Sequence, residues 1–211
     1  MRRCPRIMEE KEVQTLSKRE QKKHMNRQNI INAAIQLFSS KPFSEVSMRA
    51  IAKDANVSPG LIYQYFDDQQ HLFMTAFQIE STKLLNALRQ TIETHDQQLA
   101  VLANKYVDYM NRHDNLYQMM TYFMLENDQH GSVSKGLRDI TDDLFSIFRE
   151  ALSKHLPEKE LKSAVQLFFA SLNGILITYK NLPGRSSEAT WQHMEHLVEI
   201  LVATIKNYKS A

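Results

Sequence analysis

The chain has 211 residues, 43% hydrophobic and 24% charged, with only five Gly and five Pro. That length buries a sizeable core in one domain or two, and so few breakers favour long helices. The single cysteine, Cys4, excludes an internal disulfide or a zinc finger, and neither an apolar run behind the basic start nor a long uninterrupted apolar stretch is present, so a cytoplasmic protein is expected.

The formal charge of +2 is unevenly spread, because residues 1–30 hold nine Lys/Arg against four Glu, a local +5 that leaves −3 for the rest. Such a head fits either a nucleic-acid arm or a solvated leader. The polar stretch 1–22 reads as a flexible basic leader. A first helix is predicted from about Ser17 to Phe38, where Ile30, Ile31, Ala34, Leu37 and Phe38 recur at spacings of three and four.

Lys41-Pro42 stops that helix, and Ser44 or Ser47 can cap a second, short one whose inward face carries Met48, Ile51, Ala52 and Ala55. Asn56 suits a turn with left-handed backbone. A third helix is predicted from Ser58 to Tyr65, with Ser58 as N-cap and Pro59 at the first helical position. Asp67-Asp68 ends it and can cap a long fourth helix through Leu72, Phe77, Leu84 and Leu88.

Two further helices follow beyond residue 96, one through Leu99, Leu102, Tyr106, Tyr109 and Met110, the other through Tyr117, Met120, Phe123 and Met124 after a break near Asp114-Asn115. A loop from Asn127 to Ser134 precedes a helix from about Val133 to His155, which Pro157 ends. The last two helices span Glu158 to about Asn181 and Ser187 to Asn207, separated by Leu182-Pro183-Gly184. Strand alternation and solenoid repeats are missing from the pattern, so the fold class is all-α with roughly nine helices.

The pair Ser47–Ala55 and Ser58–Tyr65 is a helix-turn-helix candidate. Val57, Ile62 and Phe66 point inward by period, leaving Pro59, Gly60, Leu61, Tyr63, Gln64 and Tyr65 on other faces. Gln64 suits adenine, Leu61 a thymine methyl, and the tyrosine hydroxyls suit phosphate, while small residues at the front of the helix permit close approach.

The stretch "NIINAAIQLFSSKPFSEVSMRAIAKDANVSPGLIYQYFDDQQHLF" closely resembles the N-terminal domain of the TetR family of bacterial transcriptional regulators. Ala34, Leu37, Phe38, Phe43, Ile51, Ala52, Ala55, Val57, Ser58, Gly60, Ile62, Tyr63, Tyr65, Phe66 and Leu72 occupy that family's pattern. Ser47, Pro42 and Asn56 depart from it conservatively. Gln69 is the sharper departure, since the family usually has a phosphate-contacting Lys there, and a compensating role for residues 1–11 is one expectation. The resemblance implies that Ser47, Arg49, Ser58, Pro59, Gly60, Leu61, Tyr63, Gln64 and Tyr65 face DNA, with Arg49 suited to guanine.

The resemblance further implies a DNA-binding domain at 23–68 and an effector-binding and dimerisation domain at 69–211. A homodimer through the last two helices has local support in "LFFASLNGILITY", where Ala170, Ser171 and Gly174 stand among bulky residues. The expected function is a ligand-responsive regulator, most often a repressor in that family, bound to a near-palindromic double-stranded operator.

Tyr106, Tyr109, Met110, Tyr117, Met119, Met120, Tyr122, Phe123, Met124, Phe145 and Phe148 would line an apolar or amphiphilic effector pocket, with Asn173, His113 and Glu126 as polar candidates. Plain core packing is the competing account for each. No cofactor or metal is expected, because the His193 and His196 pair with Glu195 and Glu199 lacks a third ligand at a recognisable spacing. The alternative function is an all-α ligand-binding protein or enzyme whose helix-turn-helix is structural.

Overall fold

The computed structural model describes residues 17–94, 99–125, 131–184 and 186–208. Among these residues it holds nine α-helices and no strand. They are α1 (Lys18–Ser40), α2 (Met48–Asp54), α3 (Pro59–Ile62), α4 (Gln69–Thr94), α5 (Leu99–Arg112), α6 (Asp114–Leu125), α7 (Gly131–Leu152), α8 (Glu158–Tyr179) and α9 (Ser187–Lys206), with one 3₁₀ turn at Phe43–Glu45.

The chain divides into two compact units, residues 1–82 with 114–138, and residues 83–113 with 139–211. These units do not coincide with a division at residue 68, since the first takes in the opening half of α4 and all of α6.

In the first unit α1 starts earlier than a leader ending at residue 22 allows. The Ser17 hydroxyl accepts the Glu20 N–H while the Glu20 carboxylate accepts the Ser17 N–H at 3.0 Å, so residues 18–22 are already helical. Ile30, Ile31, Ala34 and Phe38 form its buried face, which packs against α2 and α6. Phe43 ties the 3₁₀ turn down, stacking on Phe38 at 5.6 Å and Tyr122 at 4.9 Å and meeting Phe73 edge-on at 5.2 Å. Such aromatic pairs each add about 0.5–1.5 kcal/mol beyond the area they bury.

The start of α7 lies at Gly131, two residues before the expected Val133. Further along, a Cβ on Gly136 would sit 2.7 Å from Met74 Cε and 3.2 Å from the Gln78 amide. A side chain at 136 would require the ends of the Met74 and Gln78 side chains on α4 to shift.

In the second unit α5 packs against both α8 and α9, which also pack together. Leu99, Leu102, Ala103, Tyr106, Val107 and Met110 of α5 are buried at the helical period. They meet Leu161, Val165, Phe168, Leu172 and Leu176 of α8 and Met194, Val198 and Val202 of α9 in a shared core. One polar contact crosses it, because the fully buried Tyr106 hydroxyl donates to Asn173 Oδ1 at 3.0 Å while the Asn173 amide donates to the Phe169 carbonyl.

Among the described residues, α8 is long and apolar enough to cross a membrane, with a mean hydropathy of 1.3 over its best window, of which 33% is buried. Its apolar residues fall on two sides. Leu161, Val165, Phe168, Leu172 and Leu176 are buried, whereas Leu167 and Ile177 are 63% and 50% exposed.

Replacing Asn173 with Leu leaves the Tyr106 hydroxyl unpaired in the core and should cost about 1–3 kcal/mol in urea unfolding. Adding Tyr106→Phe should recover much of that loss. Additive losses from the two substitutions would mean that the bond contributes nothing to stability.

Candidate nucleic-acid interface

The turn between α2 and α3 is built by three backbone features. Ser47 caps α2 through the Ala50 N–H at 3.1 Å, and at the other end Asn56 takes φ 54°. The Asn56 N–H reaches the Lys53 carbonyl at 3.1 Å and the Val57 N–H the Ala52 carbonyl at 2.9 Å, the double closure of a left-handed helix stop. Asn tolerates this backbone at lower cost than residues with bulkier side chains.

Ser58 then caps α3 through the Leu61 N–H at 3.2 Å, with Pro59 at the first helical position. Regular α-helix ends at Ile62, earlier than the expected Tyr65. The Gln64 and Tyr65 N–H groups bond three residues back, to Leu61 and Ile62, so the chain tightens before Phe66 enters the core.

Anchoring fixes the outer face. Ile62 and Phe66 are 0% and 1% exposed, and the Arg27 guanidinium of α1 stands 5.4 Å from the Phe66 ring centre. Burial pulls the Arg27 pKa below its ordinary value. Ser47, Arg49, Ser58, Pro59, Gly60, Tyr63 and Gln64 are exposed, and Leu61 and Tyr65 are half-buried. Gly60 has open space where a Cβ would stand, so nothing inside the chain requires a glycine there.

Beside this edge lies a cleft of about 320 Å³ lined by Arg19, Lys22, Lys23, Asn26, Gln64 and Tyr65. The four α1 residues were not among the expected site residues. Their spacing carried the signal, since Arg19, Lys23 and Arg27 continue the Ile30–Ile31 stripe backwards at intervals of four.

The start of α4 is arranged differently. The Gln69 amide donates to the Phe43 carbonyl at 2.8 Å, and Asp68 Oδ1 accepts the His71 N–H at 2.7 Å. Position 69 therefore braces the 3₁₀ turn, and a carboxylate caps the helix.

The profile of bacterial regulatory proteins of the tetR family matches residues 30–75, the segment just described from the buried end of α1 into α4. Residues 30–75 thus carry the regulatory-protein domain of the tetR family. The chain is 36% identical over 74 residues to the transcriptional regulator HbdR of an Aromatoleum species, a match covering 35% of this chain and 27% of that protein. A longer match, 25% identical over 134 residues, covers 62% of the chain and 63% of the transcriptional repressor NicS of Pseudomonas putida. Less than two-thirds of either relative is spanned.

Among solved structures, the regulator FadR of Bacillus subtilis in complex with stearoyl-CoA superposes with a TM-score of 0.71 at 17% identity, over 83% of this chain and 97% of FadR. That likeness concerns the fold.

The residues expected to line an effector pocket divide between the two units. In the second, Tyr106 meets Phe148 edge-on at 5.6 Å, and Tyr106, Met110 and Phe148 are all 0% exposed. Burial pushes the Tyr106 phenol well above its ordinary pKa, with the Asn173 bond opposing only in part. Phe145 packs on Phe169 at 5.4 Å, and Tyr109 stacks on His113 at 3.8 Å.

In the first unit Phe123 packs against Phe73 and Phe77, Tyr117 and Met120 are buried, and Met124 is 37% exposed. Glu126 lies outside the described residues. A cleft of about 410 Å³ in this unit takes in Phe38, Lys41, Phe43, Phe73, Thr121 and Tyr122, of which Tyr122 alone is among the expected pocket residues. Among the described residues no group of His, Cys, Asp or Glu is arranged to hold a metal. His193 instead meets the Tyr179 ring edge-on at 4.7 Å.

Gly60→Ala separates folding from binding. A methyl meets no atom of the chain, and the lower entropy of the unfolded state should leave stability unchanged or raised by up to about 1 kcal/mol. Affinity for DNA should fall. Thermal melting and a gel shift on the same preparation check the two signs, and unimpaired binding would show that Gly60 does not approach DNA.

Proposed function

We propose that this chain is a ligand-responsive, sequence-specific DNA-binding regulator, a repressor released from its operator by a small apolar or amphiphilic effector. The observation that carries the reading is a short helix held by Ile62 and Phe66 whose outer side, bare at Gly60 and polar at Tyr63 and Gln64, is left to solvent in a TetR-family domain. An exposed aromatic edge on a rigidly anchored helix invites a partner, and the geometry suits a major groove. Residues 23–68 form the reading head, with Arg49 and Gln64 facing base edges and Ser47, Ser58, Pro59, Gly60, Leu61, Tyr63 and Tyr65 completing the contact.

Residues 69–211 would bind the effector and join two copies. Ser163, Leu167, Ala170, Gly174 and Ile177 are all exposed and recur at spacings of four and three along α8, opposite its buried face. Ile200 of α9, 50% exposed, adds to this apolar surface, and a further cleft of about 290 Å³ holds Leu156, Leu167, Ile205 and Tyr208. Two such helices from each subunit make a four-helix interface, and its two-fold symmetry matches a near-palindromic operator.

Repression accords with NicS being a transcriptional repressor, and an amphiphilic effector accords with the stearoyl-CoA bound by FadR. The effector would act by binding the released state more tightly than the operator-bound one.

A gel shift at modest salt on the DNA upstream of the chain's own coding sequence should show a complex that excess scrambled duplex fails to compete away. Arg49→Ala and Gln64→Ala should each cost about 1–3 kcal/mol and relax preference at one base pair. Uniform weakening across all sequences would remove both residues from base reading.

Leu167→Glu with Ile200→Glu places charges on the proposed interface at positions already exposed in one copy. Light scattering should show a monomer with native helix content and much weaker operator binding. A dimer that persists would move the interface elsewhere.

A further inference from the structure

We infer that the first turns of α1 are this chain's clamp on the DNA backbone: Arg19, Lys22 and Lys23, with Asn26, Gln64 and Tyr65, form a cleft that takes phosphodiester oxygens beside the bases read by Gln64. The inference rests on the regulator reading above and assigns the phosphate contacts that reading needs.

The start of α4 is poorly suited to hold a phosphate. Gln69 carries no charge and spends its amide on the Phe43 carbonyl at 2.8 Å, while Asp68 caps α4 and Asp67 stands 3.4 Å from the His71 ring. Two carboxylates there repel a phosphodiester.

The opposite holds at the start of α1. The residues lining its cleft comprise three cations, two amides and a phenol, with no carboxylate among them. Glu20, the one acid in the first turn of α1, is turned onto Ser17, bonded to its hydroxyl at 2.6 Å and its N–H at 3.0 Å. Every lining side chain can donate a hydrogen bond, which suits a partner that is anionic and accepts only.

Position matters as much as charge. Gln64 and Tyr65 belong both to the cleft and to the exposed edge after α3. Arg27, one turn further along α1, is taken up by Phe66, which holds this end of α1 against the reading helix. A phosphate in the cleft therefore lies within a side chain's length of whatever Gln64 reads, so the clamp also sets the register of the reading edge.

The test compares the full chain with its Arg19→Gln/Lys22→Gln/Lys23→Gln variant by equilibrium binding to the upstream operator and to a scrambled duplex over roughly 50–300 mM salt. Each lost phosphate contact flattens the dependence of log affinity on log salt by about 0.9, so loss of the three should lower the slope by about 3 on both duplexes. The preference for operator should stay the same. Arg19→Lys/Lys22→Arg/Lys23→Arg should keep the original slope, and circular dichroism confirms that the helices persist.

A Lys154→Gln/Lys159→Gln/Lys162→Gln variant removes the same charge from the second unit. An unchanged slope in the α1 variant, or an equal fall in this second one, overturns the clamp. A wild-type chain that binds duplex without preferring any sequence overturns the regulator reading instead, and the slope on scrambled DNA still decides the clamp. Failure of the wild-type chain to bind any duplex overturns both.

Discussion

The burial of Ile62 and Phe66 is the constraint on which the outer surface of α3 depends. A four-residue helix is too short to be stable by its own hydrogen bonds, so α3 persists only because its inner side is fixed to the rest of the unit. Fixing that side determines the other. With Ile62 inward, Gly60, Tyr63 and Gln64 lie outward, and the tight turns through Gln64 and Tyr65 bring Phe66 back to the core under Arg27. The left-handed Asn56 upstream does the same work at the other end, since it reverses the chain soon enough for Val57 to pack at the helix stop.

Electrostatic consequences follow from one side chain. Gln69 reaches the carbonyl of a residue 26 positions earlier, and that bond secures the 3₁₀ turn between α1 and α2. A lysine there that turned its ammonium to a phosphate would no longer hold the Phe43 carbonyl. The chain keeps the brace and carries its cations on α1, where an arginine, two lysines and an asparagine meet Gln64 and Tyr65. Positive charge thus sits beside the exposed edge at Gln64 without weakening the contact that braces the start of α4.

The local features of this fold were legible in the sequence, because each rests on neighbouring residues. Ser47 and Ser58 cap the helices expected of them, Pro59 opens α3, and Ile30, Ile31, Ala34, Ile51 and Ala52 are buried as their spacing indicates. What escaped depends on partners distant along the chain. The cleft at Arg19, Lys22 and Lys23 exists only where Tyr65 comes alongside, and the bond from Gln69 has its partner in another element. The early end of α3 is a case between, since its turn residues are compatible with helix and only the pull of Phe66 into the core tightens them.

The aromatic and methionine content of α5 to α7 shows why composition alone separates a pocket from a core poorly. Tyr106, Met110 and Phe148 are fully buried, and the Tyr106 hydroxyl already has its partner in Asn173. Side chains that fill a core and side chains that line an apolar site have the same chemistry, and they differ in whether space is left between them. The same ambiguity explains the hydropathy of α8. A helix apolar on its buried face alone would be amphipathic, but Leu167, Ala170, Gly174 and Ile177 make the outer face apolar as well. Glu158, Lys159, Glu160 and Lys162 charge only its first turns. An unpartnered stripe of alternating large and small residues, running along a helix whose other side is occupied by α5 and α9, is what a symmetric helix-to-helix contact requires. Under the proposed dimer, the high hydropathy of α8 is that of a helix packed by protein on both faces.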